Sequence, residues 1–117
     1  MQKPAVLILN NVYYDIGTSV QEAHNKIGAW YGIPHVSIRD TLYAGIRAGQ
    51  YTEKELTQDG LHPNDKGHEL AAAQITALLE KVKLYMWEDG PEYAFPKPMT
   101  ANAYEAARRL TIREISP

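Results

Sequence analysis

Two side chains of the sequence have the types and spacing of an acid–base pair. Asp59 and His62 lie three residues apart in the segment Asp-Gly-Leu-His-Pro, where Gly60 and Pro63 favour a tight turn that leads into a helix. A carboxylate in such a turn can accept a hydrogen bond from the imidazole Nδ1–H, which fixes the tautomer and leaves Nε2 free as a general base. The alternative is that Asp59 only caps the turn and His62 packs against Leu61.

Three further side chains are candidates for a substrate pocket. Asp40 ends the second predicted strand, at the edge of an open α/β sheet where ligands bind; the alternative is that it caps a turn. Tyr13 and Tyr14 follow the first predicted strand on the same edge, where they either flank an acyl or sugar group or simply pack. His62 and His68 do not have the spacing that aims two imidazoles at one ion, so we predict no metal site.

The elements that must position these residues begin with a predicted βαβ unit. Residues 5–9 form a continuous apolar run, typical of a strand covered on both faces in a parallel sheet. A capping box from Ser19 to Glu22 starts a helix, which Gly32 ends. Residues 35–38 follow as a second strand. The apolar face of the helix is predicted to comprise Val20, Ala23, Ile27 and Trp30 or Tyr31.

The second half of the chain is predicted to contain one long helix and a boundary. Residues 41–58 are expected to form a loop with a short helical turn near 42–47, and residues 64–83 an amphipathic helix. Glycine and proline accumulate between residues 87 and 99, which indicates a linker. We therefore divide the chain into 1–86 and 87–117, the latter with a strand-like alternation near its end.

The predicted strands and helices are too few for the fold that they imply. Two parallel strands and two helices leave an open apolar sheet edge, whereas a buried parallel strand needs a neighbour on each side and helices on both faces. The chain is therefore expected to be part of a larger fold, completed by a missing N-terminal half or by a partner chain.

Composition excludes several classes of partner. The net charge of −2 provides no basic surface for nucleic acid or for anionic lipid, and no apolar run has the length of a membrane span. There is no signal-peptide pattern and no cysteine, so the compartment is left open.

The segment from Asp59 to His68, which reads Asp-Gly-Leu-His-Pro-Asn-Asp-Lys-Gly-His, resembles the last motif of the SGNH (GDSL-type) hydrolases. That motif is Asp-x-x-His-Pro, followed by a glycine and a helix. The strands and helices predicted upstream occupy places that the family fills, so the resemblance covers about two-thirds of the chain. It implies an α/β fold, part of a flavodoxin-like three-layer α/β/α sandwich that lacks its N-terminal strands here. It also implies an esterase in which His62 is the base and Asp59 supports it.

The resemblance does not extend to the nucleophile. The family's Gly-Asp-Ser motif and the glycine and asparagine of its oxyanion hole have no counterpart in this sequence. The serines are Ser19, Ser37 and Ser116, and none has the glycine-flanked turn of an exposed nucleophile.

Two functions are therefore expected. One is a fragment of a serine-dependent esterase, without a cofactor, that is inactive alone and acts on a small-molecule or carbohydrate ester such as an acetylated sugar. The alternative is a non-catalytic interaction module that pairs its open sheet edge with itself or with a partner chain.

Overall fold

The fold is a small mixed α/β domain around a two-stranded parallel sheet. The computed structural model describes residues 5–85, 94–101, 103, 106–108 and 111. Strand β1 (Ile8–Asn10) pairs in parallel with β2 (His35–Ser37), and helix α1 (Gln21–Tyr31) connects them. The predicted βαβ unit is confirmed, although both strands are shorter than expected.

Helix α1 ends as predicted but begins differently. Gly32 adopts the left-handed conformation with φ 62°, which glycine permits without a steric cost. The helix starts at Gln21, with Val20 in the N-cap position and no side-chain cap. The predicted capping box is therefore wrong, and the Oγ of Ser19 instead accepts the N–H of Gln21 at 3.4 Å.

The predicted apolar face of α1 is also wrong. The buried positions of the helix are Gln21 and Gly28, whereas Ile27 and Trp30 are 43% and 49% exposed. Gln21 faces the sheet because its Oε1 accepts a hydrogen bond from the Oγ of Ser37 at 2.6 Å. Gly28 allows the helix to approach the sheet closely, since a Cβ there would lie 3.1 Å from the Nδ1 of His35 in β2.

The segment after β2 is more helical than the predicted loop. Arg39–Tyr43 forms one π-helical turn that continues into α2 (Ala44–Arg47), and α3 spans Glu53–Leu56. Thr52 and Glu55 close a capping box at the start of α3, which satisfies donors that a helix terminus otherwise leaves free.

The long helix is present as α4 (Asp65–Tyr85), which starts one residue later and ends two residues later than predicted. It packs on the core through one stripe, while its apolar residues Leu79 and Val82 are 53% and 39% exposed. The buried core consists of Val12, Tyr14, Val36, Ile38, Leu42 and Leu56, and the residues of α4 that pack on it are Leu70, Ala71, Ile75 and Leu78.

The described part of the second segment lies against α1. The indole N–H of Trp30 donates to the carbonyl of Lys97 at 2.8 Å, and the N–H of Met99 donates to the hydroxyl of Tyr31 at 2.9 Å. The predicted boundary at residues 86–87 and nearly all of the strand predicted over residues 110–115 lie outside the described residues. Among the described helices, none has the length and apolar character to cross a membrane.

Candidate active site

The Asp59 and His62 side chains are in direct contact. The Oδ2 of Asp59 lies 2.7 Å from the Nδ1 of His62, and its Oδ1 accepts the backbone N–H groups of His62 and Leu61 at 2.7 and 3.0 Å. The side-chain hydrogen bond to His62, helped by these two backbone donors, holds the pKa of the Asp59 carboxyl well below its usual range. The predicted contact is thus present, and the catalytic role of the pair stays a prediction.

The turn that carries the pair is fastened at several points. Thr57 is 1% exposed, and its hydroxyl donates to the carbonyl of His62 at 2.8 Å and accepts the N–H of Asp59 at 3.3 Å. The carbonyl of Gly60, a residue with φ 78°, accepts the N–H of Tyr14 at 2.7 Å. The turn is therefore tied both to itself and to the loop that follows β1.

The residues after His62 fix the start of α4 against α3. The Oδ1 of Asn64 accepts the N–H of Gly67 at 3.0 Å, and the Nδ2 of Asn64 donates to the carbonyl of Glu55 at 3.1 Å. A Cβ on Gly67 would lie 2.8 Å from the Cβ of Pro63 and closer still to the carbonyl oxygen of Leu56. The motif therefore has an asparagine for the cap and a glycine for the close approach.

The imidazole is accessible. The His62 side chain is 78% exposed and that of Asp59 is 54% exposed. Both line an open, largely polar cavity of about 580 Å³, together with Gln58 and the first residues of α4. Among the described residues, the Nε2 of His62 has no hydrogen-bond partner, and the His62 side chain lines the open cavity.

Neither described serine contacts His62. The Oγ of Ser37 donates to Gln21 and accepts the backbone N–H of Asp40 at 2.9 Å, and the Oγ of Ser19 lies at the start of α1. Ser116 lies outside the described residues. The described serine hydroxyls are thus engaged at α1 and β2, and neither is hydrogen-bonded to His62.

Asp40 belongs to a separate polar network. Its Oδ2 accepts the Nε2 of Gln21 at 2.6 Å and its Oδ1 accepts the Nε of Arg39 at 3.1 Å. These hydrogen bonds, that from Gln21 above all, lower the pKa of the Asp40 carboxyl. Asp40 lines another open cavity, together with Arg39, Tyr43 and Arg47. Its contacts are those of a residue that joins α1 to β2, and its predicted pocket role stays a prediction.

The two predicted tyrosines differ in position. Tyr14 is 4% exposed within the core, and burial raises the pKa of its hydroxyl. Tyr13 is 43% exposed and lines a cavity beside Leu61, next to the Asp59–His62 pair. Of the three predicted pocket residues, the structure brings only Tyr13 to a cavity that the Asp59–His62 turn also lines.

Two buried polar residues, Asn10 and Thr57, make side-chain contacts that were not predicted from the sequence. Asn10, at the end of β1, is 1% exposed, and its Oδ1 lies 2.8 Å from the Nδ1 of His24. Thr57, which holds the turn, was also missed, although a threonine two residues before an aspartate is a local signal for such a turn. The Asn10–His24 contact joins β1 to α1 and has no signal in the local sequence.

No protein-family model and no curated protein sequence matches the chain. Two crystal structures of a two-domain esterase (CEX) active on acetylated mannans do match, one of them co-crystallised with mannopentaose. Each is 44% identical to this chain over 86% of its residues, with a TM-score of 0.75. The chain spans only 26% of the length of one and 27% of the other. It is thus similar to about a quarter of a carbohydrate esterase, in sequence and in fold.

Proposed function

We propose that the chain provides the acid–base half of a serine-dependent ester hydrolase of the SGNH type. The observation that carries the proposal is the 2.7 Å contact between Asp59 and the Nδ1 of His62, a histidine that lines an open cavity. This is the arrangement that a general base requires, since the carboxylate fixes the tautomer and orients the ring.

In the proposed reaction, His62 transfers a proton twice. Its Nε2 takes the proton of a serine hydroxyl while the serine oxygen attacks the ester carbonyl, and it then gives that proton to the departing alcohol. Water next attacks the acyl-serine, again with His62 as base, and the carboxylic acid and free serine are released. Asp59 stays ionised throughout, because its lowered pKa makes it a poor proton acceptor.

The serine and the oxyanion hole are proposed to come from polypeptide outside the 117 residues. Two features support this: the described serines have other contacts, and the match accounts for only 26% and 27% of the two esterase chains. That polypeptide would also add strands and complete a three-layer α/β/α sandwich around β1 and β2.

The proposed substrate class is a carbohydrate ester, such as an acetylated sugar. The support is the similarity to an esterase active on acetylated mannans, at 44% identity. Identity at this level is compatible with a change of substrate, because specificity depends on a few pocket residues.

The test compares His62→Ala with His68→Ala, in the chain joined to the polypeptide that supplies the serine. Removing a triad histidine is expected to lower kcat on acetylated oligosaccharides by about 10³-fold or more. His68 is an exposed histidine of α4 outside both the turn and its cavity, so its variant should keep activity within about twofold. Activity of His62→Ala within a few-fold of the unmodified enzyme would show that the assignment is wrong.

A second variant examines Asp59 separately. Asp59→Asn keeps an oxygen for the two backbone donors but no longer favours the Nδ1–H tautomer, so kcat should fall by about 10²- to 10⁴-fold with little change in KM. A fall in folding stability of the same variant without a fall in kcat would indicate a turn-capping residue instead.

The alternative is a non-catalytic, hydrolase-like interaction module. It is favoured by the edge of β1: Ile8 and Asn10 bond towards β2, so the intervening Leu9 directs its N–H and carbonyl to the opposite side, where no described strand pairs with it. Size measurement in solution distinguishes the two. A folded monomer contradicts the module, and a dimer or a stable complex without esterase activity favours it.

A further inference from the structure

A small apolar cavity adjoins the Asp59–His62 turn. It has a volume of about 210 Å³ and lies between Leu61 and the loop after β1, residues 11–13 and 18–20. Its lining consists almost entirely of apolar atoms. Leu61 is the direct neighbour of His62 in the chain and is 37% exposed, so residues of the same turn line this cavity and the open cavity at His62.

The residue at the edge of this cavity departs from local sequence preference. Val20 occupies the N-cap of α1, a position where Ser, Thr, Asp and Asn are strongly preferred because their side chains bond the first free N–H groups. Val20 makes no such bond and exposes 63% of its surface. An exposed aliphatic side chain at a position where a polar capping residue is preferred is typical of a binding surface.

The cavity walls are held in place without a ligand. The loop after β1 is closed by hydrogen bonds from the N–H of Tyr13 to the carbonyl of Thr18 at 2.9 Å and from the N–H of Gly17 to the carbonyl of Tyr13 at 2.7 Å. The N–H of Tyr14 joins this loop to Gly60 at 2.7 Å. The position of the cavity relative to His62 is therefore fixed by backbone contacts.

We propose that this cavity binds the hydrocarbon part of the acyl group of an ester substrate. The inference rests on the proposed function for the statement that the ligand is an ester. A sugar ring is disfavoured as the occupant, because its hydroxyls would lose water against walls that offer almost no polar atom. An aliphatic chain loses no hydrogen bond there and gains from removal of its surface from water.

The volume indicates the size of acyl chain that the cavity can enclose. One water-sized group occupies roughly 30 Å³ in a liquid, so a cavity of about 210 Å³ holds about seven such groups. Acyl groups from acetyl to about hexanoyl therefore fit, and each methylene added within this range buries more apolar surface.

The test is a titration of the isotope-labelled chain with methyl acetate, methyl butyrate and methyl hexanoate, followed by amide chemical shifts. It requires no hydrolysis, so its outcome is independent of the His62 experiment. We expect the shifts at Tyr13, Val20 and Leu61, with a Kd that falls by about fourfold at most for each added methylene. Equal affinity along the series, or shifts centred elsewhere, would overturn the proposal. So would shifts at these residues with mannopentaose and none with the esters.

Val20→Thr separates binding from folding. The variant keeps the shape of the side chain, places a hydroxyl where the helix lacks a cap, and should therefore raise Tm while weakening methyl hexanoate binding several-fold. The matched control is Ile16→Thr, in the same loop but outside the cavity, where the side chain is 65% exposed and binding should not change. A Tm rise in Val20→Thr with unchanged binding would contradict the acyl site.

Discussion

The turn from Thr57 to Gly67 and the outer face of α1 differ in how far the chain itself completes them. In the turn, apart from the bond between Gly60 and Tyr14, the backbone groups and the Asp59 carboxylate find partners within ten residues, and Thr57 is 1% exposed. On α1, Ile27 and Trp30 expose almost half of their surface, although the helix connects the two strands of the only sheet in the described residues. The polar groups of the turn thus have their hydrogen-bond partners, whereas the apolar residues of α1 are only partly covered.

The difference follows from the range of the interactions. Hydrogen bonds between near neighbours form as soon as the local backbone adopts its conformation, and they need no other part of the molecule. Apolar faces gain free energy only when a second surface covers them. The side chains of a site built mainly from local contacts can therefore be positioned even on a domain whose apolar surfaces are not yet covered by other elements.

The largest expected contrast is between two aliphatic residues of these regions. Leu56 is fully buried next to the turn, so Leu56→Ala should lower the free energy of unfolding by about 2–5 kcal/mol through the lost contacts and the cavity left behind. Ile27→Ala on α1 should change it by about 0.5 kcal/mol or less, because the side chain is 43% exposed. Urea denaturation of both variants measures the difference. Equal losses would mean that α1 is covered in solution, for example by a second copy.

The glycine of the turn motif gives a smaller effect. Gly67→Ala places a Cβ against Pro63 and the Leu56 carbonyl, and the resulting overpacking should cost about 2 kcal/mol. Gly49→Ala is the control, since its φ is 75° but its Cβ would meet nothing within 4 Å, so that only about 1 kcal/mol of backbone strain is expected. A Gly67→Ala protein as stable as the unmodified chain would show that α4 does not rest on the end of α3.

The same division explains what the sequence could predict. The Asp59–His62 contact and the helix end at Gly32 depend on residues one to four positions apart, and both were predicted correctly. The buried face of α1 was not, because it depends on a contact between Gln21 of α1 and Ser37 of β2, which lie sixteen positions apart in the sequence. Apolar periodicity assumes that aliphatic side chains face the sheet, and here a polar network takes that place.

The different positions of Tyr13 and Tyr14 also depend on contacts between distant parts of the chain. Tyr13 and Tyr14 are adjacent and look equivalent in sequence, yet one lines a cavity and the other is buried in the core. Only the tertiary fold separates them, because the N–H of Tyr14 bonds Gly60 and turns its side chain away from the surface. Local patterns thus predicted the acid–base pair, and packing decided which neighbour could accompany it.

The smallest expected effect is a pH dependence confined to the turn. Hydrogen bonds from His62 and Leu61 lower the pKa of Asp59 in the folded chain, so they stabilise the turn above the ordinary carboxyl pKa of about 4 and are lost as the pH falls through the lower, folded value. The backbone amide signals of these two residues should therefore change in acid with a midpoint below pH 4, before or without global unfolding. Asp59→Asn should abolish the transition, while Glu80→Gln, on the exposed side of α4, should preserve it. A midpoint at the ordinary aspartate pKa would mean that the hydrogen bonds of the turn do not stabilise the carboxylate. The contrast between the hydrogen-bonded turn and the partly exposed face of α1 would then have no electrostatic basis.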